Sequence, residues 1–173
     1  MAWSALVEQQ QEAVFRLAYL LLGDADAAKD VAQETFIRAF YALDGFDSSR
    51  PLRPWLLSIT ANLARNRRRA LGRYLAALSR WFQKAPLPVG PDPRDEHLRQ
   101  WQAQTLWQAV RRLGPADQEI IYLRYFLELS VAETAEAVGV APGTVKSRLH
   151  RALERLRAVV ETEFPALRKE HAG

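Results

Sequence analysis

The segment from Ser130 to Arg151 carries two signals for the start of a helix, separated by one glycine, and it restricts the possible fold more than any other stretch. Ser130 and Glu133 have the spacing of a capping box, in which each side chain bonds a backbone N–H of the first turn. Gly139 is suited to end that helix, and Pro142 is suited to begin the next. The pattern therefore predicts a helix, a short turn and a second helix, as in a helix-turn-helix motif.

The second of these helices is predicted to have one apolar and one polar face. Its apolar residues recur at helical spacing, and they are Val145, Leu149, Leu153 and Leu156. The opposite side carries small, hydrogen-bonding and cationic residues, namely Gly143, Thr144, Ser147, His150 and Arg151, with Lys146 and Arg148 on its flanks. Such groups suit the major groove of DNA. Two short helices around a glycine are more often plain packing, so the DNA-binding interpretation depends on these residue identities.

Charge is distributed unevenly along the chain, although the net charge is only +4. Residues 1–45 contain seven acidic and three basic side chains, whereas residues 46–84 contain one acidic and nine basic side chains. An acidic end next to a basic block favours a protein partner for the first and a nucleic-acid partner for the second. The 173 residues, 49% of them hydrophobic, are enough for one domain or two small ones.

Composition also argues against several classes of protein. The chain has no cysteine, so it forms neither a disulfide nor a thiolate metal site. No stretch approaches the roughly 20 apolar residues of a membrane span, and the first residues do not resemble a signal peptide. The three histidines, His97, His150 and His171, are too scattered to suggest a catalytic or metal site. We expect a cytoplasmic protein without membrane insertion, cofactor, metal or catalytic activity.

The first 45 residues predict two helices. The first has an apolar face and ends at Gly23, and the second is capped by Asp24 or Asp26. The buried face of the first comprises Leu6, Ala13, Val14, Leu17, Ala18 and Leu21, and that of the second Ala28, Val31, Thr35 and Ala39. The second helix also presents an outward stripe of Asp30, Gln33, Glu34, Ile37 and Tyr41. Because this stripe mixes charged and apolar residues, it indicates a surface that docks on another protein.

A third helix, opened by Pro54, leads into the basic block. Its inward residues are Leu52, Trp55, Leu56, Ile59 and Leu63. Its end carries Arg65, Arg67, Arg68, Arg69 and Arg73, near the aromatic residues Phe46, Trp55 and Tyr74. Arginines that neutralise phosphates, beside aromatic rings on which bases stack, are typical of nucleic-acid binding.

The middle of the chain predicts a linker. Pro86, Pro88, Pro91 and Pro93 prevent a continuous helix, and the pattern does not place Trp81 and Phe82 on either side. Beyond it, Trp101, Leu106, Val110 and Leu113 predict a helix that ends at Gly114, and Ile120, Ile121, Leu123, Tyr125 and Phe126 predict the core of the next. The fold class is therefore all-α, with two small helical domains joined by a Pro-rich linker, the second a four-helix domain containing the helix-turn-helix.

Five short motifs carry a family resemblance. They are Asp30-Val-Ala-Gln-Glu-Thr-Phe36, Trp55-Leu-Leu-Ser-Ile59 with Asn62, Leu113-Gly-Pro115, Leu123-Arg-Tyr125 and Gly143-Thr-Val-Lys-Ser-Arg148. In this order and spacing the chain resembles a bacterial RNA polymerase sigma factor of the extracytoplasmic-function (ECF) group, which has regions two and four only. The resemblance implies region two in residues 1–72, a linker in 73–98 and region four in 99–173. It also implies core RNA polymerase and promoter DNA as partners, and commonly an inhibiting anti-sigma factor.

The resemblance further implies roles for single residues. Core polymerase binding would fall to Asp30, Gln33, Glu34 and Ile37. Capture and unpairing of the minus-ten promoter element would fall to Phe46, Asp47, Ser49, Asn62, Arg65, Asn66 and Arg68. Recognition of the minus-thirty-five element would fall to Thr144, Lys146, Ser147, Arg148, His150 and Arg151. The chain departs from the family pattern at Lys29, where an acidic residue is common, at Ala61, where arginine is common, and at Thr134, where an aliphatic residue is usual.

A dimeric repressor or activator is the alternative from another class of function. It would explain the helix-turn-helix, but it would leave the acidic stripe and the basic aromatic block without a task. A repressor holds duplex promoter DNA alone, whereas a sigma factor needs core polymerase, so binding distinguishes the two.

Overall fold

The structure, a computed structural model, describes residues 3–79 and 97–169, and within these ranges the chain forms helices and turns without a strand. The helices are α1 (Trp3–Leu22), α2 (Ala25–Ala42), α3 (Leu52–Ser79), α4 (His97–Arg111), α5 (Pro115–Ile121), α6 (Val131–Val138), α7 (Pro142–Glu163) and α8 (Ala166–Lys169). A 3₁₀ turn, Leu43–Gly45, follows α2, and a π turn, Tyr122–Phe126, continues α5. The all-α prediction is confirmed.

Helices α1, α2 and α3, here called the N-terminal helices, pack against one another as the apolar periodicity predicts. The buried residues of α2 are the predicted ones: Ala28, Val31, Thr35 and Ala39. Thr35 is polar but fully buried, and its Oγ1 is satisfied by the carbonyl of Val31 at 2.8 Å and by Thr60 Oγ1 at 3.3 Å. Asp24 caps α2 by accepting a hydrogen bond from the N–H of Ala27 at 2.7 Å.

Helix α3 is longer than the sequence analysis anticipated. It continues to Ser79, seven residues into the segment 73–98 that the proline pattern assigned to the linker. Most residues between Ala70 and Ser79 are good helix formers, and Gly72 alone does not break the helix. The four prolines of the predicted linker lie outside the described residues, as do Trp81 and Phe82.

Helices α4 to α8, here called the C-terminal helices, contain the predicted helix-turn-helix in α6 and α7. Beneath it, the segment from α5 into the π turn buries Ile120, Ile121, Tyr122 and Leu123. Tyr125 was expected in this core but is 55% exposed, because the wider π turn shifts it away from the buried face.

The N-terminal and C-terminal helices share one apolar cluster. Leu57, Ala61 and Ala64 of α3 lie in the same buried cluster as Val110, Leu123 and Ala137 of the C-terminal helices. Leu57, Ala61 and Ala64 are spaced four and three residues apart, so they form one stripe on α3. This stripe is distinct from the predicted face that includes Leu56 and Ile59. The two halves are therefore packed together along α3.

Candidate nucleic-acid and protein interfaces

The helix-turn-helix has the local geometry that the sequence predicts. Ser130 Oγ accepts a hydrogen bond from the N–H of Glu133 at 3.1 Å, and the Ser130 N–H donates to Glu133 Oε2 at 2.8 Å. Both halves of the capping box are thus formed. Gly139 ends α6 in the left-handed conformation, with φ of +68°, and its N–H donates to the carbonyl of Ala135. Thr134, a departure from the family pattern, is buried and donates to the carbonyl of Ser130 at 2.8 Å.

Helix α7 presents an open polar face. Lys146, Ser147, His150 and Arg151 are exposed, and Val145 and Ala152 form the buried side. The Nε of Arg151 donates to the carbonyl of Ser147 at 3.3 Å, which keeps the guanidinium beside Ser147. Leu153, predicted to be buried, is 36% exposed, because Ala152 and not Leu153 lies seven residues after Val145 on the inner face.

Two residues of the predicted minus-thirty-five set lie away from that open face. Thr144 and Arg148 are half-buried, and the charge of Arg148 acts on the carboxylate of Glu119 in α5. The structure therefore brings Lys146, Ser147, His150 and Arg151 together, and it directs Arg148 toward the junction between the two groups of helices.

The predicted minus-ten residues form a second surface along α3 and the loop before it. Asn62 and Asn66 are exposed, whereas Arg65 and Arg68 are half-buried. In the loop, Phe46 lies against Trp55 with ring centroids 4.5 Å apart. Asp47 accepts hydrogen bonds from Ser49 Oγ at 2.7 Å and from the Ser49 N–H at 2.9 Å, which together hold the pKa of this exposed carboxyl below its usual value.

Gln118 and Glu119 of α5, which the sequence analysis did not single out, cover part of this surface. Arg65 Nη2 donates to Glu119 Oε1 at 3.3 Å, and Arg68 Nη1 donates to Gln118 Oε1 at 3.2 Å. Glu119 is only 5% exposed, and burial raises the pKa of its carboxyl although Arg65, Arg148 and Arg68 act in the opposite direction. A carboxylate near a helix start is usually solvated, so only the packing of the two halves reveals this contact.

A third surface lies on α2, at the predicted protein-docking stripe. Asp30 and Gln33 are exposed, Glu34 accepts a hydrogen bond from Arg38 Nε at 2.7 Å, and Ile37 is 45% exposed. The stripe borders an open apolar groove lined by Trp3, Val7, Gln33, Phe36, Ile37, Phe40 and Tyr41. Trp3 and Phe40 were not among the predicted residues. Phe40 could have been found from the sequence, because Phe40 and Tyr41 lie three and four residues after Ile37 and so share its exposed side of α2.

Asp30 also contacts the basic surface. Arg67 Nη2 donates to Asp30 Oδ2 at 3.1 Å, and the two side chains are about half exposed. Such exposed pairs contribute little to stability, so a partner could replace either side.

No group of three or more histidine or acidic side chains in residues 3–79 and 97–169 is placed to hold a metal ion. No helix in these ranges is long and apolar enough to cross a membrane.

A helix-turn-helix beside a basic aromatic surface defines a DNA-binding protein, and the comparisons with known proteins specify which class. Residues 6–74 match the family Sigma-70 region 2, and residues 103–156 match the family Sigma-70, region 4. The ECF RNA polymerase sigma factor SigW of Bacillus subtilis (strain 168) is 33% identical over 165 residues, which span 90% of this chain and 87% of SigW. The ECF RNA polymerase sigma factor SigL of Mycobacterium tuberculosis (strain ATCC 25618 / H37Rv) is 32% identical over 159 residues, which span 91% and 88% of the two chains.

Two solved structures that resemble this chain are also of sigma-factor complexes. The sigma factor RpoE in complex with the anti-sigma factor NepR, from Bartonella quintana, matches with a TM-score of 0.70 and 25% identity over 92% of this chain and 97% of RpoE. CnrH in complex with the cytosolic domain of CnrY matches with a TM-score of 0.68 and 25% identity over 93% and 88% of the two chains.

The chain therefore belongs to the ECF group of RNA polymerase sigma factors. It is a transcription initiation factor that brings core RNA polymerase to promoter DNA, and it is not an enzyme. A stand-alone repressor would not account for the match over residues 6–74.

Proposed function

We propose that three separate surfaces divide the work of promoter recognition in this sigma factor. Asp30, Gln33, Glu34 and Ile37 bind core polymerase; Phe46, Asp47, Ser49, Asn62, Arg65, Asn66 and Arg68 capture the minus-ten element; and Thr144, Lys146, Ser147, Arg148, His150 and Arg151 contact the minus-thirty-five element. The observation that carries the proposal is that each set maps to its own element: α2, α3 with its preceding loop, and α7.

The chemistry of each surface supports its role. The α2 surface combines acidic side chains with an apolar groove, which suits a protein partner that brings both basic and apolar residues. The α3 surface offers arginines for phosphates and an aromatic pair, Phe46 and Trp55, for unpaired bases. The α7 surface offers hydrogen-bond donors on a single helix, and the major groove is wide enough to admit a helix.

Within the α7 set the residues have different tasks. Lys146, Ser147, His150 and Arg151 lie on the open face and would read base edges or phosphates directly. Arg148 is half-buried and its charge acts on the Glu119 carboxylate, so it would contribute less to DNA contact than the four residues on the open face.

We also propose regulation by an anti-sigma factor in the cytoplasm. The support is that RpoE was solved with the anti-sigma factor NepR, and that this chain matches RpoE over 92% of its length. An inhibitor of this kind would compete with polymerase for the α2 surface.

Charge reversal on α2 tests the docking assignment. Glu34→Lys should weaken co-purification with core RNA polymerase about tenfold, because it removes an acidic contact and adds a repulsive charge. Glu161→Lys on α7 is the matched control, since Glu161 also pairs with an arginine four residues away, Arg157, at 3.2 Å. It should bind core polymerase like the natural chain.

The triple substitution Asp30→Ala, Gln33→Ala, Glu34→Ala completes this test. Helix content is measured by circular dichroism, so that loss of binding is separated from loss of fold. If the triple variant co-purifies with core polymerase as well as the natural chain does, α2 is not the docking surface.

A further inference from the structure

The outward side of α3 carries one continuous polar stripe, here called the α3 stripe. Its members are spaced four, three and four residues apart, so they share one face of the helix, and they are Asn62, Asn66, Arg69 and Arg73. All four side chains are exposed. The two asparagines belong to the set to which we assign minus-ten binding, whereas the two arginines have no assigned role. The stripe therefore continues beyond the minus-ten surface.

The two arginines of the stripe differ from their neighbours in their hydrogen bonds. Arg65, Arg67 and Arg68 each donate to an acceptor on α5 or α2. Within residues 3–79 and 97–169, by contrast, neither Arg69 nor Arg73 forms an ion pair with an acidic side chain. An arginine that is bound to a neighbour gives up that bond when it takes a phosphate, whereas Arg69 and Arg73 bind a phosphate without such a loss.

The length of α3 determines where these arginines lie. The helix continues without interruption to Ser79, so Arg69 and Arg73 are held on the same element as Asn62 and Asn66. A rise of about 1.5 Å per residue places Arg73 roughly 16 Å beyond Asn62 along the helix axis. This distance equals about five base pairs of duplex DNA. Along it the stripe changes from amides, which bond base edges, to arginines, which neutralise phosphates.

The order of the chain indicates which DNA lies beside the arginines. The helices that we assign to the minus-thirty-five element follow α3 in the chain, and this element lies upstream of the minus-ten element. The end of α3 is therefore expected on the upstream side of the minus-ten element, where the DNA stays double-stranded. A duplex carries one negative charge per about 1.7 Å of its axis, which matches two cationic side chains one helical turn apart.

We propose that Arg69 and Arg73 form a second DNA-binding site on α3, which binds backbone phosphates of the duplex directly upstream of the minus-ten element. The inference rests on the proposed role of α3 in minus-ten capture, and it adds double-stranded DNA to the single strand that this role requires. Phosphate contacts carry no sequence information, so the site raises the affinity for every promoter and leaves the base preference unchanged.

Two DNA probes from one promoter test the proposal, with holoenzyme assembled from the full chain and core RNA polymerase. The promoter is one whose start site this holoenzyme defines on genomic DNA. The first probe is the single-stranded minus-ten segment, and the second adds about eight base pairs of upstream duplex without the minus-thirty-five element. The measured quantity is the duplex gain, which is the affinity for the second probe divided by the affinity for the first.

The double substitution Arg69→Ala, Arg73→Ala should lower the duplex gain about tenfold and reduce its salt slope by about two units, one for each lost phosphate contact. Single-strand affinity should change less than about twofold. Arg69→Lys with Arg73→Lys should keep most of the gain, because lysine also binds phosphate as a point charge. Arg16→Ala is the matched control, since Arg16 is exposed but lies by Arg53 at the opposite end of α3. It should leave both affinities unchanged.

Gly72 tests whether the helix itself places Arg73. A proline at this position removes a backbone N–H and collides with the preceding turn, so it breaks α3 before Arg73. Gly72→Ala is the matched control, because a Cβ at this position meets open space and alanine favours the helix. The duplex gain should fall in Gly72→Pro at least as far as in Arg73→Ala and stay unchanged in Gly72→Ala. Equal gains in the two Gly72 variants would contradict the role of the helix.

Three results would overturn the proposal. An unchanged duplex gain in Arg69→Ala, Arg73→Ala would show that these arginines do not bind the duplex. Equal losses on both probes would assign them to the single strand, and weaker co-purification with core polymerase would assign them to the polymerase. Failure of the minus-ten assignment has a different sign, since Asn62→Ala, Asn66→Ala would then leave single-strand affinity unchanged.

Discussion

Glu119 shows how the packing of the two halves changes the chemistry of one side chain. Its carboxylate is 5% exposed and its pKa is raised above the usual 4.5, because the loss of hydration outweighs the attraction of three arginines. A carboxyl with a raised pKa in the folded state destabilises that state when ionised; this cost decreases as the pH falls below the raised value and is gone below the usual value. Ionised Glu119 therefore weakens the packing of α5 against α3, and the buried apolar cluster and the bond from Arg68 to Gln118 hold the two halves together.

Arg151 and Arg68 are both DNA-binding candidates, but their surroundings predict different roles. Arg151 is exposed beside Ser147, where its guanidinium can present two donors to a guanine edge, a pairing worth about 1–3 kcal/mol of discrimination. Arg151→Ala should relax base preference at about one or two positions of the upstream element. Arg68→Ala should weaken all promoters alike and reduce the salt dependence by about one unit.

Selection from a randomised upstream element, followed by sequencing, measures this difference at one fixed salt concentration. Holoenzymes with the natural chain, Arg151→Ala and Arg68→Ala are compared. An unchanged base preference in Arg151→Ala would make Arg151 a phosphate contact and remove it from the base readers.

At the scale of single helices, local signals were sufficient for most of the fold. The capping box of Ser130 and Glu133, the end of α6 at Gly139 and the inner face of α2 all follow from spacing, because they depend on neighbours within one or two turns. The exposure of Leu153 and the extension of α3 to Ser79 did not follow. The exposure of Leu153 depends on whether Ala152 or Leu153 contacts the core. The extension of α3 reflects the lack of a strong helix-ending residue before Ser79.

Two glycines at the helix-turn-helix should respond oppositely to alanine. Gly139 has φ of +68°, a conformation that costs a residue with a Cβ about 1–2 kcal/mol, so Gly139→Ala should destabilise the chain by that amount. Gly143 lies in the first turn of α7 with open space around its missing Cβ. Gly143→Ala should stabilise the chain by up to about 1 kcal/mol.

Thermal and urea unfolding of both variants, followed by circular dichroism, give the two free energies. Loss of stability in Gly143→Ala, or none in Gly139→Ala, would contradict the described geometry of the turn.

At the scale of the whole molecule, the relative placement of the two halves was not predictable from the sequence. Leu57, Ala61 and Ala64 form a short apolar stripe whose cluster includes residues of α1 as well as of the C-terminal helices, so its spacing on α3 does not show which of them it contacts. Gln118 and Glu119 have the composition of a solvated first turn. Each of the three proposed surfaces lies on one element, so its residues could be grouped from the sequence, whereas the contacts between the halves join distant residues, such as Arg65 and Glu119, 54 positions apart.

The most direct test of the central claim is promoter-directed transcription by purified core RNA polymerase on fragmented genomic DNA, with sequencing of transcript 5′ ends. With the natural chain, we predict start sites that share one upstream and one minus-ten sequence, absent with core polymerase alone and lost with the Asp30, Gln33, Glu34 triple variant. If the chain co-purifies with core polymerase but produces no start sites beyond those of core polymerase alone, the account of this protein as a promoter-specificity subunit is wrong.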